Sequence, residues 1–165
     1  MTSMIELAQQ YLSEKGYHFS RRGEAESLQS SFSAENGTYS VFIDTNEEQA
    51  LVGVFVYAPT KVPERNRRAV MEYLTRLNYG LRLGGFELDL NDGEVRYTQN
   101  MDIEGATLTN AMLLNMLHFA LDVMDQYYPG LMRVIYADAD PKEAFETLRS
   151  WAPADNQATE ARVTH

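Results

Sequence analysis

The sequence predicts an α+β fold, a two-layer sandwich in which a five-stranded antiparallel sheet carries helices, in the order α-β-β-β-α-β-β-α followed by a C-terminal helix. Three observations predict it. Apolar residues recur at helical spacing in several separate stretches, strand-like runs flank Asn-Gly and Asp-Gly turns, and the run ALVGVFVYA at 50–58 is apolar without a break. Runs joined by tight turns pair antiparallel, and helical stretches at both ends and in the middle supply a second layer.

Ser3 and Glu6 have the spacing of a capping box, and Met4, Ile5, Leu7, Ala8, Tyr11 and Leu12 repeat helically until Gly16, so the first helix covers about 4–15. The polar segment His18–Ser27 is a connector with room for a short strand at its start. Ser27–Ser33 and Thr38–Asp44 flank AENG, whose Asn36-Gly37 pair tolerates positive φ and makes a hairpin. The next turn falls at Thr45–Glu48 and leads into the apolar run.

That run carries the first functional question. A sheet with helices on one side alternates polar and apolar positions, so an unbroken apolar strand needs cover on both faces. One reading puts Leu51, Gly53, Phe55 and Tyr57 under the chain's own helices and Val52, Val54 and Val56 under another helix of the same chain. The other puts a second subunit or a client peptide on Val52, Val54 and Val56.

Pro63 suits a first helical turn, and Val70, Met71, Leu74 and Leu77 mark the buried stripe of a helix over about 63–79. Leu81–Leu90 and Glu94–Met101 read as strands joined by Asn91-Asp92-Gly93. Thr109 caps a widely apolar helix running to about Tyr128. Beyond Pro129-Gly130, Leu131, Met132, Ile135 and Tyr136 fit either a helix or a short strand. Asp140-Pro141-Lys142-Glu143 starts a last helix over 141–151, docked by Phe145, Leu148 and Trp151. Residues 1–151 thus form one domain, and the small, polar 152–165 reads as a disordered tail.

Composition narrows the function. The chain of 165 residues has no cysteine, which excludes disulfides, thiolate metal sites and cysteine nucleophiles, and it fits a cytoplasmic setting. A net charge of −10 argues against nucleic acid as a partner, and no stretch reads as a membrane span. GLRLGG at 80–85 is not a phosphate loop: it follows a helix and enters a strand, the reverse of the order that aims helix N-terminal amides at an anion. Gly80 reads as a helix cap and Gly84-Gly85 as a bulge or close backbone contact. Neither His18 nor His118 has a partner at metal-ligating spacing, Asp138 and Asp140 lack the rest of a calcium loop, and no hydrolase motif occurs. The sequence therefore gives no catalytic residue, metal ligand or cofactor site.

One charge feature stands out. Arg65, Arg67 and Arg68 crowd the start of the second helix, against the preference of its dipole, with Arg76 further along. Glu64–Arg68, Arg68–Glu72 and Glu72–Arg76 can pair at i,i+4 and leave a solvated face, or the arginines can meet an acidic partner.

Residues 62–135 carry a resemblance. A charged helix ending in Leu77-Asn78, a glycine-led strand with Phe86, the turn and strand Asp92-Gly93-Glu94-Val95, and an acid-glycine step with Leu108 before a long apolar helix resemble, in that order, the YbjN family of bacterial proteins. The resemblance implies a fold similar to the type III secretion chaperones, whose element order matches the one read above, and a role as a sensory transduction regulator. It supplies no catalytic residues. The expectation is a non-enzymatic, chaperone-like regulator that binds a protein partner and forms a homodimer, with Val52, Val54, Val56, Arg65, Arg67, Arg68 and Arg76 as the contact surface. The alternative is a small-molecule or enzymatic pocket between the sheet and the C-terminal helices, lined by Met112, Met116, Met124, Tyr97, Tyr127 and Tyr136.

Overall fold

The computed structural model describes residues 2–23 and 26–149. Helix α1 (Met4–Glu14) precedes four strands, β1 (Ser20–Arg21), β2 (Ser27–Ser33), β3 (Thr38–Asn46) and β4 (Leu51–Tyr57). A 3-10 turn (Glu64–Asn66) leads into α2 (Arg67–Gly80). Strands β5 (Gly85–Leu88) and β6 (Val95–Asp102) follow, then α3 (Asn110–Tyr136) and α4 (Pro141–Arg149). All neighbours pair antiparallel in the order β1-β2-β3-β4-β6-β5. The sheet has six strands where five were expected, because the polar connector contributes the two-residue edge strand β1. Expectations for Trp151 and for the tail 152–165 lie outside the described residues.

Local signals set most boundaries. Ser3 and Glu6 form the capping box of α1, and Gly16 takes φ 86° just beyond its end. Thr109 Oγ1 accepts from the Met112 amide at 3.2 Å to start α3, and Asp140 Oδ1 accepts from the Lys142 and Glu143 amides at 3.0 and 3.1 Å to start α4. The strand expected from Leu81 begins only at Gly85. Gly84 before it has φ 61°, and a Cβ there would lie 2.3 Å from the Thr98 carbonyl oxygen, a close backbone contact that only glycine permits.

The third helix continues through Pro129 to Tyr136. Proline removes the amide that would bond the Asp125 carbonyl and crowds that oxygen. Asn36, at the β2–β3 hairpin, compensates: its Nδ2 donates to the Asp125 carbonyl at 3.0 Å. Gly130 fits the same place, since a Cβ there would meet the Tyr73 hydroxyl at 2.1 Å, and that hydroxyl donates to the Tyr127 carbonyl at 2.8 Å. The helix survives its proline because tertiary partners take up what the proline frees.

Helices α1, α2 and α3 cover one face of the sheet, and α4 packs on α2 and α3. Inward strand residues, among them Leu28, Phe32, Tyr39, Val41, Ile43 and Val95, are fully buried with Leu113, Met116, Leu117 and Leu121 of α3. Val52, Val54 and Val56 belong to this inner row, at 0% exposure, with Val54 paired between Ile43 and Gln99. The expectation that they form a partner surface is corrected: the chain's own helices cover them, and a surface role requires solvent access they lack. The pleat therefore turns Phe55 and Tyr57 to the opposite, helix-free face.

Candidate interaction surfaces

The helix-free sheet face shows how the second side of the apolar strand is covered. Phe42 of β3 pairs with Phe55 of β4, and the rings of Phe42 and Tyr57 meet edge to face at 5.3 Å between centroids. All three are half-buried. Gly53 beside them leaves room for Phe55, since a Cβ at 53 would come within 2.8 Å of its ring. Two arginines lie over these rings: Arg22 sits 5.5 Å from the centre of Phe42, and Arg96 sits 5.1 Å from Phe55 and 5.9 Å from Tyr57.

Arg96 is held in place. Its Nη1 donates to the Tyr57 hydroxyl at 3.0 Å and its Nε to Glu87 at 2.5 Å. Burial works against its charge, and these bonds to Tyr57 and Glu87 nonetheless keep its pKa above the ordinary arginine value. The aromatic strip is thus roofed by guanidinium groups whose apolar planes cover the rings, that of Arg96 with its edge bonded to Tyr57 and Glu87.

A second surface lies at the other end, where α2 meets the edge strand β5. A shallow groove of about 160 Å³ is lined by Met71, Leu74, Thr75 and Asn78 of α2 and by Phe86, Leu88 and Leu90. Met71 is 43% exposed and Leu90 55%, while Tyr79 at 97% and Leu83 at 50% sit at the end of α2 and in the link to β5. These exposed apolar side chains make this end a candidate contact surface. The groove is far smaller than the roughly 300–1,000 Å³ of a small-molecule site.

Asn78 has a specific task in that groove. Its Oδ1 accepts from the Phe86 amide at 2.7 Å and its Nδ2 donates to the Phe86 carbonyl at 2.9 Å. Phe86 lies on the outer strand of the sheet, so this side-chain amide occupies the backbone groups that a further strand would use. Sequence reading singled out Asn78 only as part of a family piece, and this edge-closing role had no signal beyond the residue type.

The basic residues of α2 divide. Arg67 is structural: its Nη1 donates to the Leu90 carbonyl at 2.8 Å and its Nε to the Val62 carbonyl at 3.3 Å, tying the start of α2 to the β5–β6 turn. Arg76 pairs with Glu72 at 2.7 Å. Arg65 and Arg68 are exposed and make no ion pair with a described residue, so the expected Glu64–Arg68 and Arg68–Glu72 pairs do not form.

The residues proposed for a small-molecule pocket do not converge on one. Tyr97, Met116 and Met124 are packed in the core and Tyr136 is 69% exposed. Burial raises the Tyr97 phenol to about 12, where it remains a donor to the Leu83 carbonyl. His118 is buried and its Nε2 shares a 2.8 Å hydrogen bond with the Tyr17 hydroxyl. Among the described residues, no group of three or more His, Asp or Glu is placed to hold a metal, and no helix is long and apolar enough to cross a membrane.

With this architecture in view, the sequence matches a family described as "Putative bacterial sensory transduction regulator" over residues 6–133, most of its length. The chain belongs to the YbjN family. No curated protein matches it significantly in sequence. Among solved structures, YbjN from E. coli, described as a putative transcription regulator, superposes with a TM-score of 0.59 at 12% identity, over 74% of this chain and 86% of that one. The HopA1–SchA chaperone–effector complex gives 0.47 at 14% identity, over 72% and 87%. The Yersinia pestis type III secretion chaperone SycH, solved with a stable fragment of YscM2, gives 0.49 at 15% identity, over 73% and 95%. The YbjN likeness is one of fold. It extends the family match from sequence to architecture, and the groove, the edge-closing Asn78 and the arginine-roofed sheet face are features of this YbjN chain itself.

Proposed function

We propose that this YbjN-family chain is a non-enzymatic, cytoplasmic regulator that acts by binding protein, and that it does so as a homodimer whose copies meet across the helix-free sheet face. The observation that carries this reading is the strip of Phe42, Phe55 and Tyr57 under Arg22 and Arg96. Aromatic residues and arginine are the types enriched in interface cores, and here they lie together on a regular surface that no helix among the described residues covers. Because the arginines already shield the rings, the face is stable in water when alone, which suits an assembly that forms and separates.

The type III secretion chaperone SycH is described in complex with a fragment of another protein, and a chaperone-like mode of action for this chain is part of the same proposal. Fold does not transfer activity, so the argument rests on the surface.

Light-scattering mass across a concentration series tests it. Wild type is expected to move toward twice the 18.8 kDa monomer mass as concentration rises. Phe55→Asp, on the open face, is expected to remain monomeric and folded. A wild type that stays monomeric throughout, or a Phe55→Asp dimer as tight as wild type, would overturn the sheet-face assembly.

A further inference from the structure

From the α2–β5 groove we infer a second docking site, whose occupant is an acidic amphipathic α-helix from another protein. The inference rests on the protein-binding reading above and uses a different surface, so the two stand or fall separately.

Three observations select this occupant. The groove presents exposed apolar side chains beside polar ones: Met71 is 43% exposed and Leu90 55%, with half-buried Leu88 between them, buried Leu74 at the base, and Thr75 and Asn78 in the wall. An extended peptide would join such a site by adding a strand to β5, yet the Phe86 amide and carbonyl are both taken by Asn78, at 2.7 and 2.9 Å. A partner that completes its own backbone bonds and offers only side chains meets no such obstacle, and a helix is that partner.

Charge selects the kind of helix. Arg68 lies three residues before Met71 in α2 and Arg65 in the 3-10 turn that leads into that helix, and both are exposed without an ion pair among the described residues. They sit in a chain whose net charge is −10, at the positive end of the α2 dipole. Arg82 is exposed near the other end, in the α2–β5 link. Cationic groups kept against the helix's own preference, bordering an apolar groove, are complementary to carboxylates flanking an apolar stripe. The partner would place apolar residues at i, i+3 or i+4 against Met71 and Leu90 and glutamates or aspartates against Arg65 and Arg68.

The test uses ¹⁵N-labelled full-length protein and three synthetic 18-residue peptides: a leucine-striped helix with glutamate flanks, the same stripe with lysine flanks, and the glutamate peptide interrupted by two prolines. The glutamate helix is expected to shift amide resonances of residues 65–90 and to bind at least tenfold tighter than either of the others. Arg65→Glu/Arg68→Glu and Met71→Asp, both at exposed positions, are each expected to weaken it at least tenfold with the circular dichroism unchanged. Equal binding of the proline-interrupted peptide, equal binding of the lysine peptide, or shifts confined to the helix-free sheet face would overturn the inference. So would a wild-type dimer that Met71→Asp converts to monomer, because the groove would then hold a second copy. Loss of dimer in Phe55→Asp with peptide binding intact would leave this site standing on its own.

Discussion

The two ends of the molecule treat polar groups in opposite ways. At the β2–β3 hairpin, the Asp125 carboxylate is buried and accepts from the Asn36 amide at 2.8 Å and the Tyr39 hydroxyl at 2.7 Å, while Asn36 Nδ2 also reaches the Asp125 carbonyl. Burial, followed by that bond to Asp125, drives the Tyr39 phenol far above its ordinary pKa, so it remains a donor. At the α2–β5 end one side-chain amide, Asn78, closes a strand edge that otherwise meets solvent, beside exposed Met71 and Leu90. The first end is finished within the chain. The second has the Phe86 backbone satisfied and leaves apolar side chains in solvent.

Breaking the closed end should have the largest effect. Asp125→Ala leaves the Tyr39 hydroxyl and the Asn36 amide without their acceptor and should cost about 3 kcal/mol, lowering Tm by roughly 10 °C in calorimetry. A loss under about 1 kcal/mol would show that water replaces the carboxylate and that the hairpin is not pinned as described.

Asn78→Ala tests the open end. Losing two hydrogen bonds to a half-buried edge should cost about 1–2 kcal/mol by urea denaturation. The more telling readout is association: with the Phe86 backbone exposed, light scattering should show concentration-dependent species that wild type does not form. A variant that is destabilised and no more associative would reduce Asn78 to a packing role.

The smallest effect lies at the surface. The hydrogen bond from Lys61 holds the Asp92 carboxylate below its ordinary pKa, and the same bond raises Lys61. A depressed carboxylate contributes stability above its unfolded value of 3.8, and loses it as pH falls through the lower folded value. For Lys61 the contribution is present below 10.5 and is lost as pH rises through the raised folded value. Asp92→Asn should therefore differ slightly from wild type near neutrality and converge with it at both extremes, read as urea midpoints against pH. A constant offset down to pH 2 would assign the effect to the β5–β6 turn instead of the ion pair.

Much of the fold was legible because it rests on local rules. The Ser3–Glu6 box and the Thr109 and Asp140 caps declare themselves within a few residues, and the AENG hairpin forms where expected, although neither Asn36 nor Gly37 takes the positive φ that suggested it. Three things were not legible, each for a non-local reason. The two faces of Leu51–Tyr57 are equally apolar, so periodicity could not say which one the helices take, and Val52, Val54 and Val56 were left between a helix of the same chain and a partner. The helix continues past Pro129 because Asn36, 89 residues away from Asp125, accepts the task of the missing amide. The surface on α2 was half legible: the cluster of arginines was visible, but Arg67 is consumed by the Leu90 carbonyl and Arg76 by Glu72, whereas Arg65 and Arg68 remain available.

That proline has a consequence for how the chain reaches its native state. A regular helix of 27 residues could form early and alone, as a local event. Here the helix carries an interruption at Pro129 whose opened carbonyl is satisfied only when the tip of a distant hairpin arrives, so the last two turns gain their full stability together with the N-terminal half of the sheet. The break ties the helix to the hairpin of the first half through the bond from Asn36 to the Asp125 carbonyl.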